Sequence, residues 1–298
     1  MSTIIASNVN STNSFVANTL ISNGLPISDT ITVGNVNINS TALTVGNSSI
    51  TPTNIKVDSL VLGGVVYGGF GPFGAIVNTQ IFTANGTWTN PYNDAGNPIQ
   101  SSLSGNEQVL VMMWGGGGGN ATNYGGGGGA CGIITYRISD LGSTVSITVG
   151  VGGSNAPVTN GGNSVFGNFT VYGGAGSYSG GGGGLMGTGN TIGGGAPLGG
   201  VLGNPGGTST FGGGGGALLS GAVPGSSIFG GGGGTYDTSG ANSIYGGGGG
   251  GTLGAGGTSI FGGKGGNNSI SASVPGGGGA INTAQSGARG EVRVWVFK

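Results

Sequence analysis

The sequence predicts a mostly non-helical protein: a β-rich trimeric stalk, followed by a small β-sheet framing a packed bundle of polyglycine-II helices. Three observations predict it. First, glycine supplies 80 of 298 residues and is concentrated: 12 precede Gly115, and the other 68 lie between Gly115 and Gly290. Second, the glycine runs are bounded by Phe, Tyr, Trp, Ile and Leu, not by the Ser, Lys or Glu that separate glycines in flexible linkers. Third, strand-like segments bracket the glycine region on both sides.

The runs themselves exclude most ordered alternatives. Gly115–Gly119 and Gly125–Gly129 flank a five-residue polar interruption, and similar runs recur at 180–184, 212–216, 230–234, 246–251 and 276–279. Collagen is excluded because no strict G-X-Y period exists and only 10 prolines are present. Glycine weakens strands, and in a helix it costs roughly 1 kcal/mol relative to alanine. A polyglycine-II helix has about three residues per turn and no internal hydrogen bonds. Its N–H and C=O groups point outward, so many such helices can bond side by side where no side chain intervenes. Ordering glycine carries the largest entropic cost of any residue; one run cannot meet it alone, whereas a bundle can. Disorder is the other reading of such a composition.

Repetition supports the ordered reading. A polar-Ser-x-aromatic-Gly motif recurs with aromatics at Phe166, Phe211, Phe229, Tyr245 and Phe261, the last four spaced by 18, 16 and 16 residues. A nearly fixed period predicts a stacked unit, with each aromatic sealing one end of a glycine helix.

Residues 1–62 form a separate segment, rich in Asn, Ser, Thr, Val and Ile, with Asp29, Lys56 and Asp58 its three charges. Asn10-Ser11-Thr12 and Val16-Ala17-Asn18 recur, with one change, at Asn39-Ser40-Thr41 and Val45-Gly46-Asn47, an offset of 29. Ile31-Thr32-Val33, Val36-Asn37-Ile38 and Leu43-Thr44-Val45 alternate as strands do. They are too few to bury a core alone, which predicts a slender oligomeric stalk, a trimer; an unstructured polar leader is the alternative. Residues 63–77 read as a glycine-punctuated joint. Over 78–298, strands are predicted at Thr79–Thr83 and Thr87–Thr89 around a turn at Asn85-Gly86. Further strands are predicted at Val109–Trp114, Ile133–Ile138, Thr144–Val149 and Glu291–Phe297.

Composition excludes several function classes. Six basic and seven acidic residues leave a net charge of −1, so a nucleic-acid interface has no basic patch to rest on. No histidine is present, which excludes a Ser-His-Asp arrangement, and the single cysteine, Cys131, predicts a small buried residue. No Cys/His cluster supports a metal site, and no cofactor motif rises above the background of G-x-G-x-x-G matches. Asp94, Glu107, Asp140 and Asp237 are the carboxylates open to a glycosidase-type pair; the expectation is that the protein is not an enzyme. The N-terminus has neither the basic region nor the apolar core of a signal peptide, and no apolar stretch approaches the roughly 18 residues of a membrane span.

Four segments carry a family resemblance. Phe82-x3-Gly86-Thr87-Trp88-Thr89-x-Pro91, the strand-to-glycine entry Val109–Gly119, Val149-Gly150-Val151-Gly152-Gly153 followed by Gly161–Gly167, and Gly287-Ala288-Arg289-Gly290 occur in this order. The combination resembles the glycine-rich domains of bacteriophage tail-fibre tips and adhesins over residues 78–298, and the repeats of 1–62 look like those of fibre shafts. The resemblance implies a packed polyglycine-II layer and receptor contact through loops between glycine runs. It also implies a homotrimer on the virion surface, made in the host cytoplasm and joined through its N-terminus to other fibre or tail proteins. The implied receptor is a host surface saccharide or an outer-membrane protein. The candidate contact residues are Asn120, Tyr124, Asn155, Tyr178, Leu185, Met186, Leu218, Leu219, Tyr236 and Asp237, all in interruptions between runs, where side-chain chemistry varies. The aromatic faces suit sugar stacking and the leucines suit a protein surface. A purely structural fibre or cap, and an ice-binding polyglycine bundle, are the alternative readings.

Overall fold

The computed structural model divides the chain into two units, Met1–Phe70 and Gly71–Lys298. In the second it describes residues 76–97, 99–120, 124–176, 180–189, 193–195, 199–200, 206–217, 219–280 and 286–298. In the first it describes the backbone of three short antiparallel pairs: β1 (Ile21–Ser22) with β2 (Leu25–Pro26), β3 (Thr44–Val45) with β4 (Ser48–Ser49), and β5 (Leu60–Leu62) with β6 (Val65–Tyr67). Asn23-Gly24, Gly46-Asn47 and Gly63-Gly64 separate the paired strands, the residue types that two-residue hairpin connections favour. The strands expected at Ile31–Val33 and Val36–Ile38 lie outside the described residues.

The described part of the second unit is β-sheet and irregular backbone, with helix confined to single 3-10 turns at Gln100–Ser102 and Ile138–Asp140. Its strands are β7 (Ile76–Phe82), β8 (Gly86–Thr89), β9 (Gln108–Trp114), β10 (Cys131–Arg137), β11 (Thr144–Thr148), β12 (Ser164–Phe166), β13 (Phe169–Val171) and β14 (Glu291–Phe297). They make two antiparallel four-stranded sheets, ordered β10-β9-β14-β7 and β13-β12-β11-β8. The inward positions alternate as period two requires. Val109, Val111 and Met113 of β9 and Val292, Val294 and Val296 of β14 meet Trp88, Val145, Ile147, Phe166 and Val171 of the other sheet in one buried cluster.

The expected small sheet is therefore a two-sheet sandwich. The turn at Asn85-Gly86 does not join paired strands; it carries the chain from one sheet to the other, since β7 pairs with β14 and β8 with β11. Asn85 fixes this corner by accepting the Val149 N–H through Oδ1 at 2.9 Å.

Two buried polar residues order the loops around the sandwich. Asn90 is fully buried; its Nδ2 donates to the carbonyls of Ile138, Leu141 and Gly142 at 3.0–3.2 Å, and its Oδ1 accepts the Tyr92 N–H. Glu107 accepts the N–H groups of Ser104 and Gly105 and the Ser104 hydroxyl. Burial raises the pKa of this carboxyl, but the hydrogen bonds from Ser104, its own backbone and Gly105 outweigh burial and leave it below the usual range.

The glycine runs carry no helix or strand, yet their backbone groups are paired between runs. Run 125–129 shows the pattern. Gly125 and Gly128 donate to Thr235 and Gly232, Gly126 and Gly129 to Gly279 and Gly276, and Gly127 to Ala175. Their carbonyls accept from Gly180 and Gly183, from Gly250 and Gly247, and from Gly118 in the same order. Positions three apart thus address the same neighbour, and all five donors and all five acceptors are taken. A Cβ on any residue of this run would lie 2.0–2.3 Å from a carbonyl oxygen of another segment.

Between successive runs the chain turns through four stacked rungs, Thr208–Phe211, Ser226–Phe229, Asn242–Tyr245 and Thr258–Phe261. Ser209, Ser227 and Ser243 are bridged in parallel. The buried Ser227 and Ser243 hydroxyls donate to Gly212 O and Gly230 O, each at 2.7 Å. The four aromatic rings stack at 5.5, 4.8 and 4.8 Å with interplanar angles of 8° or less. This column abuts the sandwich: Cys131 N–H donates to Phe229 O at 2.8 Å, and the Trp114 indole donates to Tyr245 O at 2.7 Å. The Arg293 guanidinium lies 4.8 Å from the Trp114 ring centre, held by Glu291 at 2.7 Å. Cys131 is buried, and burial raises its thiol pKa well above the ordinary value.

Candidate functional site

Chain direction places the loops. Run 115–119 leaves β9 and run 125–129 returns to β10, so Asn120 and Tyr124, which close these runs, lie at the end remote from the sheets. Residues 154–160 leave from Val149–Gly153 and return to β12, and they join the same end: Thr159 O accepts the Gly119 N–H at 3.0 Å. Residues 175–176 follow, with Gly176 N–H donating to the Asn160 side chain at 2.9 Å.

Ala217 and segments 219–223, 235–239 and 252–255 complete this end as a second ladder. Ala217 and Thr235 are bridged in parallel, and the Thr252 hydroxyl donates to Thr235 O at 2.7 Å. The Thr238 hydroxyl donates to Ala222 O at 2.8 Å, and Ala255 N–H donates to Ser239 Oγ at 3.2 Å. Tyr124 and Tyr236 pack with ring centres 4.9 Å apart and tilted by 40°, tying the first interruption to the ladder. Asp237 clamps two loops: one oxygen accepts the Ser220 hydroxyl and the other the Gly221 N–H at 2.9 Å. The Ser220 bond first, and the Gly221 bond second, lower its pKa.

Of the candidate residues, Asn120, Tyr124, Asn155, Leu219, Tyr236 and Asp237 share this end. Asn120 is buried, and its Oδ1 has no partner. Asn155 bridges Val158 across its own loop. Leu219 is 60 % exposed. Leu185 and Met186 lie at the opposite, sheet end: Leu185 packs against the sandwich core and its N–H donates to Phe211 O, while Met186 is exposed. Tyr178 and Leu218 lie outside the described residues. Leu253, 74 % exposed, is the residue that sequence reasoning missed. The register of Ala217, Thr235 and Thr252 places Leu253 level with Tyr236, so the repeat itself held the signal.

The end surface offers aromatic, aliphatic, amide and hydroxyl groups and one carboxylate already engaged by two donors. Among the described residues no three His, Cys, Asp or Glu side chains converge as metal ligands, and no helix is long and apolar enough to cross a membrane.

A family model described as a glycine-rich domain matches residues 94–296, from the loop before β9 to near the end of β14. No curated protein matches the chain in sequence.

Proposed function

The chain belongs to the glycine-rich domain family, and on that premise we propose that it is a bacteriophage fibre protein that attaches the virion to a host-cell surface receptor. Contact runs through the loops at the end of the glycine region remote from the sheets. The observation that carries this reading is the convergence there of loops differing in side chain, while the runs beneath them have no room for any Cβ. A scaffold with no room for side chains, crowned by loops that carry them, is the division of labour expected of a binding module.

In this reading the runs are polyglycine-II helices. The three-residue alternation of hydrogen-bond partners along 125–129 supports it. Residues 1–62 are a trimeric stalk, supported by their repeats and lack of a core-forming pattern, and they join the protein to other fibre or tail proteins. The molecule works on the virion surface without enzymatic activity or cofactor. The receptor is a surface saccharide or an outer-membrane protein, and nucleic acid is not a partner.

The test is competition for host cells. Purified protein should block virion adsorption, and Tyr124→Ala with Tyr236→Ala should weaken that block by about tenfold or more, as truncating paired aromatic anchors does. Protein that neither binds cells nor blocks adsorption would leave the structural cap as the reading. The ice-binding alternative predicts thermal hysteresis, which the adhesin reading does not.

A further inference from the structure

The stacked rungs at the sheet end carry a groove that the loop reading does not use. It holds about 720 Å³ and crosses three rungs, from Thr208 to Ile244. Alternation within each rung turns the serine inward and its neighbours outward. The outer surface therefore has two columns. One is polar: Thr208, Ser226, Asn242. The other runs Thr210, Ile228, Ile244 and is extended by Ile260, which is 73 % exposed. Phe211, the terminal ring of the aromatic stack, lines the groove and is 49 % exposed, so the stack ends in an open ring face.

We propose that this groove binds an uncharged glycan laid along the ladder. Its hydroxyls meet the Thr208–Ser226–Asn242 column, its C–H ring faces meet Ile228 and Ile244, and one sugar stacks on Phe211. The chemistry of the lining selects this class. None of its residues is charged, so a nucleic acid or an acidic polymer finds no counter-charge, and burying its charges there is unfavourable. A peptide adding as a strand between the rungs has no open backbone edge to join. Ser209 N–H already bonds to Ser226 O at 3.0 Å, Ser227 N–H to Asn242 O at 3.1 Å, and Ser243 N–H to Thr258 O at 2.9 Å. A sugar chain has what the two columns match, hydroxyl edges beside apolar faces. The volume lies within the roughly 300–1,000 Å³ of ligand clefts. The site is at the opposite end of the glycine region from the proposed receptor loops, so the two stand or fall separately.

The experiment titrates the full-length protein with neutral cello-, malto- and manno-oligosaccharides, with oligogalacturonate as the anionic counterpart, by calorimetry. At least one neutral series should bind and the anionic one should not. Ile228→Ala with Ile244→Ala should weaken binding by about tenfold, the expected loss for two apolar contacts. Thr208→Lys, an exposed change, should abolish binding without lowering the melting temperature, while Tyr236→Ala at the far loops should leave it unchanged. Absence of binding by every neutral series at millimolar concentration overturns the proposal. So does binding that the groove variants leave intact. If the isoleucine variants instead lower the self-association mass of the protein, the groove is an interface between copies and the glycan site is wrong.

Discussion

Gly128 states the constraint on this protein at the scale of one residue. A Cβ there would sit 2.0 Å from Gly247 O and within 3.0 Å of Gly248 O, both backbone atoms that cannot swing aside. Gly→Ala at an unstrained site is neutral or stabilising through the unfolded chain. At Gly128 overpacking outweighs that gain, and Gly128→Ala should lose about 3 kcal/mol or more. Gly142→Ala is the control: it is exposed, and its nearest atom, Thr144 O, is 3.5 Å away. It should change stability by no more than about 0.5 kcal/mol, and paired thermal melts separate the two. Asp237 gives a residue-scale prediction of a different kind. Its folded pKa is below its unfolded value because Ser220 and Gly221 donate to the carboxylate. Its contribution is therefore complete above the unfolded pKa and is lost as pH falls through the folded one. Loops 219–223 and 235–239 should loosen on acidification through the carboxylate range, read as faster amide exchange at Gly221. In Asp237→Asn that pH dependence should be gone.

At the scale of elements, the rungs hold together through buried serine hydroxyls. Ser243 is 5 % exposed, and its Oγ donates to Gly230 O at 2.7 Å and Ile228 O at 3.2 Å. Ser243→Ala leaves the Gly230 carbonyl short of a donor and should cost about 1–2 kcal/mol. Ser227→Ala acts one rung away through Gly212 O, so the double variant should depart from additivity, which a double-mutant cycle measures. Much of this was legible beforehand. The 16-residue spacing of Phe229, Tyr245 and Phe261 announced a stacked unit, clean alternation marked β14, and strands were expected where β9 and β11 lie. What was not legible was pairing. Asn85-Gly86 has the composition of a hairpin turn but joins two sheets, because β7 pairs with Val292–Phe297 of β14, more than two hundred residues away in sequence, a pairing that local turn chemistry does not report. Strand β12 was read only as part of a motif and β13 was not anticipated, since three residues give no period to detect. Leu185 looked like an exposed interruption residue, and only the fold shows the core it packs against. The candidate loops were identifiable as interruptions, but which end each occupies depends on counting run directions in three dimensions.

At the scale of the whole molecule, self-sufficiency depends on where hydrogen bonds close. Every donor and acceptor of run 125–129 is met within the same chain, so the glycine region needs no second copy to satisfy its central run. The described pairs β1–β6 are each a two-stranded ribbon, and isolated ribbons are marginal in water. If residues 1–62 are a stalk, their stability must come from other copies, and oligomerisation must reside there. The prediction is a trimeric mass by light scattering for the full chain and a monomeric mass for residues 71–298. A trimer in both would mean that the glycine-rich units share an interface, and the receptor surface would then have to be sought between chains. A monomer in both would sink the stalk. Ionic strength should scarcely move either mass or the melting temperature, because 13 charged residues in 298 leave little electrostatic energy to screen.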